Sequence, residues 1–506
     1  MSRPLGSLQR PLRKIGTAML VLLCLLLVNL AYTQVIKASD YSSNPLNRRT
    51  QLADFNRQRG QISAAGGVVL ASSVPSDDQF RYQRSYPRGA AFANLTGYLS
   101  LRYGKTGLES SQNALLSGDD PELTVTNLSD LVTGRDPRGA NVELTVVPKL
   151  QQVAYDQLAS KNLTGAVVAL QPKTGAVLAM VTSPSFNPNP LASHSTDTQR
   201  EAYNKLREAL TTTAPDPTVN RAIESVYPPG STFKLVVSAA ALQNGFTPNS
   251  AVTGVNRITL PGTGGATLSN YGGETCANRG GSDVTLTQAL AHSCNTAFAE
   301  VAMKVGAAKL KEQAASFGVG ESASIAGLPG AASRVGDMPD QAAVAQSGIG
   351  QRDVAFSPMQ NAEVVASIAN AGQRMQPYLV SRVTKPDLSL LSSTEPTSMG
   401  QAVPTEIAGQ IRDMMRESEK SLQSSLGQQQ FAQYDIASKT GTAEHGSNPK
   451  TTPPHAWYVA FAPATDPQIA VAVFVANGGD RGLSATGASV AGPVGHAVIA
   501  AALGGG

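Results

Sequence analysis

The chain has 506 residues, 41% of them apolar, which is too long for one ordinary globular domain and enough for at least one large core. Its 40 basic and 36 acidic residues are spread widely and leave a net charge of +4, so no nucleic-acid partner is expected.

Residues 15–32, IGTAMLVLLCLLLVNLAY, carry no charge. At about 1.5 Å per residue a helix of that length reaches roughly 27 Å, near the thickness of a bilayer core, and is expected to span a membrane. Arg3, Arg10, Arg13 and Lys14 precede it and Lys37 alone follows closely, so residues 1–14 are expected in the cytoplasm and everything from about Thr33 outside. A cleaved signal peptide shares the basic start and apolar run, but Tyr32, Thr33 and Gln34 make a poor cleavage site, which favours a retained anchor.

From residue 33 to about 140 the sequence is polar and rich in Gly and Ser, with short strand-like pieces such as 67–71, and reads as a small β-containing extracytoplasmic module. Composition shifts near Ala140, and residues 141–506 form the second domain. There 141–147 reads as a strand and 149–159 as a helix. Two apolar runs, 165–170 and 176–181, joined by Gln171, Pro172, Lys173, Thr174 and Gly175, predict a hairpin. A helix over 198–210, a Gly-rich excursion over 252–281 and helical material from about Thr285 to Gly372 follow. Next come a helix over 404–419, strands at 436–442, 456–463 and 468–476, and a last helix from about Ala488. Sequential strands with short connections imply an antiparallel sheet, and the helices must cover its faces, giving an α+β fold.

Of three cysteines, Cys24 lies in the apolar segment, leaving Cys276 and Cys294 as an exported pair 18 positions apart. The compartment permits a disulfide, which would contribute roughly 3 kcal/mol by loop closure; two free thiols in the exported protein would exclude it. Five scattered histidines and this pair offer no metal-ligand spacing, so neither metal nor other cofactor is expected.

The stretch 226–242, VYPPGSTFKLVVSAAAL, organises the rest. Tyr227, Pro228, Pro229 and Gly230 break regular structure, and an apolar run at helical spacing follows until Asn244 and Gly245. Ser231 is expected to open the helix, with Lys234 beside it on the same face and the positive end of the helix dipole nearby. That suits an activated serine nucleophile, although for this stretch alone an N-cap serine with a solvated lysine is the favoured reading. Only Ser447 with Lys450 repeats the spacing, and Pro449 lies between them. Downstream, the helix-like LTQALAHSCNTAFAEVA holds Ser293, Cys294 and Asn295, and the strand at 436–442 holds Lys439, Thr440, Gly441 and Thr442. Ser-x-Asn also begins at Ser42, Ser111, Ser160 and Ser185, and Lys-Thr-Gly recurs at Lys105 and Lys173, so the ordered set carries more weight than its parts.

At these residues the chain resembles the penicillin-binding and serine β-lactamase family, whose signature is SxxK, SDN and KTG, with Cys294 in place of the middle Asp. YPPGSTFKL, AHSCNTAF, SGIGQRDVAFSPMQNA and KTGTAE followed by AWYVAFAP look like a class B penicillin-binding protein, and the Ala-rich character and short upstream module are most like the actinobacterial A group. In RGQISAAGGVVLA, Ala64, Ala65 and Gly66 stand where that family often has Asp, Arg and Asn. The resemblance implies a transpeptidase domain on a small dimerisation-like pedestal, and a reaction in which Ser231 attacks the D-Ala-D-Ala bond of a peptidoglycan stem peptide. Lys234 would take the serine proton, Ser293 would relay one to the departing D-Ala, and Asn295 would hold the donor's amide. Backbone N–H groups of Ser231 and Thr442 would form the oxyanion hole, and Lys439 with the Thr440 and Thr442 hydroxyls beside Gly441 would bind the substrate carboxylate. A β-lactam would mimic the donor and remain attached. A D,D-carboxypeptidase or β-lactamase-like hydrolase would use the same acylation residues, and a non-catalytic β-lactam receptor or division scaffold is the remaining alternative. The module of about a hundred residues is too short for a glycosyltransferase domain, so a separate membrane glycosyltransferase of the shape, elongation and division type is the implied partner.

Overall fold

Successive residues of the C-terminal strands face opposite apolar surroundings, and that alternation fixes the architecture. The computed structural model describes residues 9–37, 41, 52, 54–123, 138–211 and 214–504. In chain order, α1 (Gln9–Ala31) is followed by β1 (Ile62–Ala64), β2 (Val68–Pro75), β3 (Tyr82–Ser85), β4 (Asn141–Leu144), α2 (Pro148–Ala159), β5 (Gly165–Leu170) and β6 (Val177–Ser183). Then come α3 (Lys234–Leu242), α4 (Leu286–Ala291), α5 (Asn295–Val305), α6 (Pro358–Ala369), β7 (Val380–Thr384) and β8 (Leu390–Ser393). Toward the C-terminus lie α7 (Thr405–Leu426), β9 (Ala437–Ala443), β10 (His455–Ala462), β11 (Ile469–Val475) and α8 (Gly492–Leu503).

Strands β9, β10, β11, β5 and β6 form a five-stranded sheet in that order, each neighbour antiparallel, as the hairpin and the three late strands predict. Val459, Phe461, Ala470 and Ala472 enter the core shared with α3 and α6, whereas Tyr458, Ala460, Val471 and Val473 enter a second core shared with α2 and α8. A slip of one residue would exchange the two sets, so the packing pins the register of β10 against β11. Strand β9 is the edge of this sheet, and α7 flanks it, giving Ile411, Met414 and Met415 to one core and Leu422 to the other.

A second sheet has the order β8, β7, β4, β1, β2, β3. Strand β4 pairs in parallel with β1 and antiparallel with β7, so a division at residue 140 crosses a sheet built from both sides of it. Composition marks that position, but the main-chain hydrogen bonds join segments far apart in sequence. The small residues at 64–66 serve a tight turn: Ala64 is buried, Ala65 N–H donates to Val146 O at 2.9 Å, and Gly66 has φ +75°. Behind this turn Arg59 Nη2 and Arg84 Nε reach Glu109 at 2.9 and 2.6 Å, all three side chains buried. Burial opposes ionisation of Glu109, but Arg84 and Arg59 overcome it and hold the carboxyl below its usual range.

The apolar helix runs through Pro11–Ile36, 26 residues with none of its apolar window buried against the rest of the fold, and is longer than the 15–32 span read from hydropathy. At about 1.5 Å per residue it extends for about 39 Å. The tail expected in the cytoplasm lies outside the described residues as far as residue 8.

Candidate active site

Three segments converge at the front of β9. The first is the turn before α3, where Gly230 takes φ +54° and a Cβ would sit 2.6 Å from Thr442 O, so glycine lets this turn lie directly against the strand. Gly230 N–H donates to Gly350 O at 2.9 Å, and Trp457 Nε1 donates to Pro228 O at 2.8 Å from the neighbouring strand. The helix expected to open at Ser231 opens instead with a 3-10 turn over Gly230–Phe233, and α-geometry starts at Lys234. With three residues per turn, i and i+3 eclipse, so the tighter winding stacks Ser231 and Lys234 on one face. Ser231 is half-buried and Lys234 fully buried.

The second segment is Ser293, Cys294 and Asn295. Helical periodicity suggested a continuous helix here; the chain breaks between α4 and α5, and Ser293 adopts φ +58°. Such a conformation is uncommon for a residue with a Cβ and needs outside support. That support comes from the excursion over 252–281. Cys276 forms a disulfide with Cys294, Thr296 N–H donates to Asn270 Oδ1 at 3.0 Å, and Asn295 Nδ2 donates to Ser269 O at 3.2 Å. The break turns both oxygens of Ser293 toward the lysines: Lys234 Nζ donates to Ser293 O at 2.7 Å and lies 3.4 Å from its Oγ. Lys234 Nζ also donates to Asn295 Oδ1 at 2.8 Å.

The third segment is β9. Lys439, fully buried, donates from Nζ to Ser293 Oγ at 2.9 Å and to Thr440 O at 2.8 Å. A Cβ on Gly441 would lie 2.8 Å from Pro229 O, so this glycine too admits the turn that carries Ser231. Thr440 and Thr442 are half-buried, and Thr442 Oγ1 accepts from Gly487 N–H at 3.2 Å.

Burial governs the charge of both amines. It pushes Lys234 well below the ordinary lysine range, with Lys439 adding repulsion, and it pushes Lys439 down to about 7. A neutral amine has two hydrogens and one lone pair; the 2.7 and 2.8 Å contacts of Lys234 use both hydrogens and leave the lone pair to accept a proton. Among the described residues no hydrogen bond joins Ser231 Oγ to Lys234. Asn295 is engaged at both ends of its amide, by Lys234 Nζ and by Ser269 O.

Sequence reasoning did not single out Gly350, Gln351, Asn361 or Trp457 as parts of this wall. Asn361 Oδ1 accepts from Thr232 Oγ1 at 3.2 Å, and Gln351 bonds the main chain of Glu444 at 3.1 and 3.0 Å with its amide suitably oriented. The stretch SGIGQRDVAFSPMQNA holds three of them and carried the family likeness, but nothing in its own pattern placed it beside Gly230.

The family described as "Penicillin binding protein transpeptidase domain" matches residues 165–500, and "Penicillin binding protein A dimerisation domain" matches residues 59–142. Peptidoglycan D,D-transpeptidase PbpA of Mycolicibacterium smegmatis is 48% identical over 495 residues, covering 97% of this chain and 98% of the relative. PbpA of Mycobacterium tuberculosis is 45% identical over 497 residues, covering 97% and 98%. The solved ceftriaxone acyl-enzyme complex of penicillin-binding protein A from M. tuberculosis is 46% identical with a TM-score of 0.85, covering 89% of this chain and 100% of that one. Its penicillin G acyl-enzyme complex has a TM-score of 0.83, at 46% identity and 88% and 100% coverage.

Proposed function

This chain belongs to the penicillin-binding protein transpeptidase family, and we infer that Ser231 is the nucleophile of a peptidoglycan D,D-transpeptidase. The enzyme is a serine acyltransferase of cell-wall synthesis, and β-lactams inhibit it by acylation. One observation carries the residue assignment: two buried amines converge on Ser293, Lys234 at 2.7 Å from its carbonyl and Lys439 at 2.9 Å from its hydroxyl, beside the turn that presents Ser231.

In the first half-reaction Ser231 Oγ bonds to the carbonyl carbon of the penultimate D-Ala while its proton passes to the Lys234 lone pair. Negative charge on the carbonyl oxygen is met by the N–H groups of Ser231 and Thr442, a contribution of about 3 kcal/mol per donor. The C–N bond then breaks, Ser293 relays a proton to the departing D-Ala amine, and Asn295 holds the donor's amide. Lys439 and the Thr440 and Thr442 hydroxyls, with Gly441 keeping the strand close to the turn, receive the substrate carboxylate. In the second half-reaction an amine of a neighbouring stem peptide attacks the Ser231 ester, forms the cross-link and returns the serine. Residues 141–506 act as the transpeptidase domain and 33–140 as its pedestal, with α1 as the anchor, the N-terminus in the cytoplasm and catalysis outside. A membrane glycosyltransferase of the shape, elongation and division type would supply the glycan strands.

Intact-protein mass spectrometry with penicillin tests the nucleophile. The wild type should gain one adduct and Ser231→Ala none; an adduct retained in the variant would remove Ser231 from this role.

A further inference from the structure

We propose that Glu419 is a positioning residue for Lys439, acting through Ser438; this rests on the assignment of Lys439 to the acylation site. Glu419 lies on α7 and is 2% exposed, on the far side of β9 from Lys439. Its Oε2 accepts from the Ser438 hydroxyl and, at 3.1 Å, from the Tyr458 hydroxyl. Its Oε1 accepts from Gln423 Nε2 at 2.8 Å and faces His496 Nε2 at 2.7 Å. Three donors and an imidazole nitrogen around two oxygens hold the carboxyl group in one orientation.

The imidazole that faces it is His496, buried on α8. The second ring nitrogen, Nδ1, lies 2.8 Å from Gln428 Oε1, so the imidazole bridges the Glu419 carboxyl group and the Gln428 amide. Burial, with the Glu419 charge and hydrogen bond, holds the Tyr458 phenol well above its ordinary range, so it stays protonated and donates. The network thus ties α7, α8 and β10 to one hydroxyl of β9.

That hydroxyl is on the residue before Lys439. Consecutive strand residues face opposite sides, so Ser438 points to the carboxylate while Lys439 points to Ser293. Among the described residues, Lys439 Nζ is held on the active-site side by Ser293 Oγ and Thr440 O alone, and β9 has no partner strand on its outer edge. Fixing Ser438 from behind therefore fixes the twist of the edge strand where it aims the lysine. Stability alone does not call for this arrangement, since apolar groups of the same shape often replace both partners of a buried hydrogen bond without loss.

The test uses the full-length detergent-solubilised protein, with penicillin as probe and thermal unfolding recorded on the same samples. Glu419→Gln and Ser438→Ala should each slow the acylation step about 10- to 100-fold, as expected for a catalytic group displaced by a fraction of an ångström, while the prior non-covalent affinity stays within about twofold. The double variant should be no slower than the slower single one, because both act through one hydrogen bond. If Glu419→Gln does not fold, Ser438→Ala decides, since it deletes a single hydroxyl. Wild-type acylation in folded Ser438→Ala, or effects that multiply in the double variant, would overturn the proposal. A wild-type protein that takes up no penicillin would instead overturn the acylation site on which it rests.

Discussion

Replacing Lys439 by methionine is expected to make the protein more stable and nearly inactive at once. Burial holds this amine down to about 7 from an ordinary 10.5. A gap of about 3.5 pH units, at about 1.36 kcal/mol each, means that folding with the lysine charged costs about 5 kcal/mol, of which about 4 kcal/mol still stands at pH 7. Methionine fills a similar volume without that cost but gives up the contacts to Ser293 Oγ and Thr440 O, at about 1 kcal/mol apiece. The balance is about 2 kcal/mol in favour of Lys439→Met, or about 2–3 °C in melting temperature for a domain of this size. The sign of the pH effect follows from the lowered value. Between about pH 7 and 10.5 the unfolded chain binds the extra proton, so the wild type gains on the variant as pH rises, and the order reverses near about pH 9. Below about 7 both states hold the proton and the difference is constant. Thermal unfolding followed by circular dichroism from pH 6 to 10 measures this, and penicillin labelling should show acylation slower by about 10²–10⁴-fold. A variant less stable than the wild type at pH 7, or a difference that does not change with pH, would refute the reasoning.

Gly230→Ala should slow penicillin labelling about 100-fold, because φ +54° and a Cβ 2.6 Å from Thr442 O force the nucleophile turn off β9; labelling at the wild-type rate would show that the turn tolerates the shift. Glu109→Ala leaves Arg59 and Arg84 buried without their shared partner and should cost about 3–5 kcal/mol in thermal or denaturant unfolding. The Glu109 carboxyl is held low by Arg84 and Arg59 against the effect of burial, so its stabilisation is present above its unfolded value and lost as pH falls through the folded one. The variant should therefore lose stability less steeply on acidification than the wild type does.

Elements whose cause is local were legible beforehand. The hairpin of β5 and β6 announces itself through two apolar runs and Gly175, and β10 and β11 through uninterrupted apolar residues. The return of β7 and β8 to the sheet of β1 was not legible, because a short strand in a polar stretch does not name its partner. Nor was the network of Glu419, His496 and Ser438: each residue alone reads as an ordinary surface or core position, and only packing of α7 and α8 against β9 and β10 makes them neighbours.

By itself the sequence determined the apolar helix, the order of the three motifs and the spacing that stacks Ser231 against Lys234, since these depend on composition and on neighbours three residues apart. Tertiary structure decided that Ser293 turns into the left-handed region, that Lys234 and Lys439 meet on it across 59 and 146 positions, and that burial weakens the hold of both amines on a proton. The reason is physical. A side chain's charge and an unfavourable backbone conformation are set by the water excluded and the partners supplied by distant segments, and no local pattern records either.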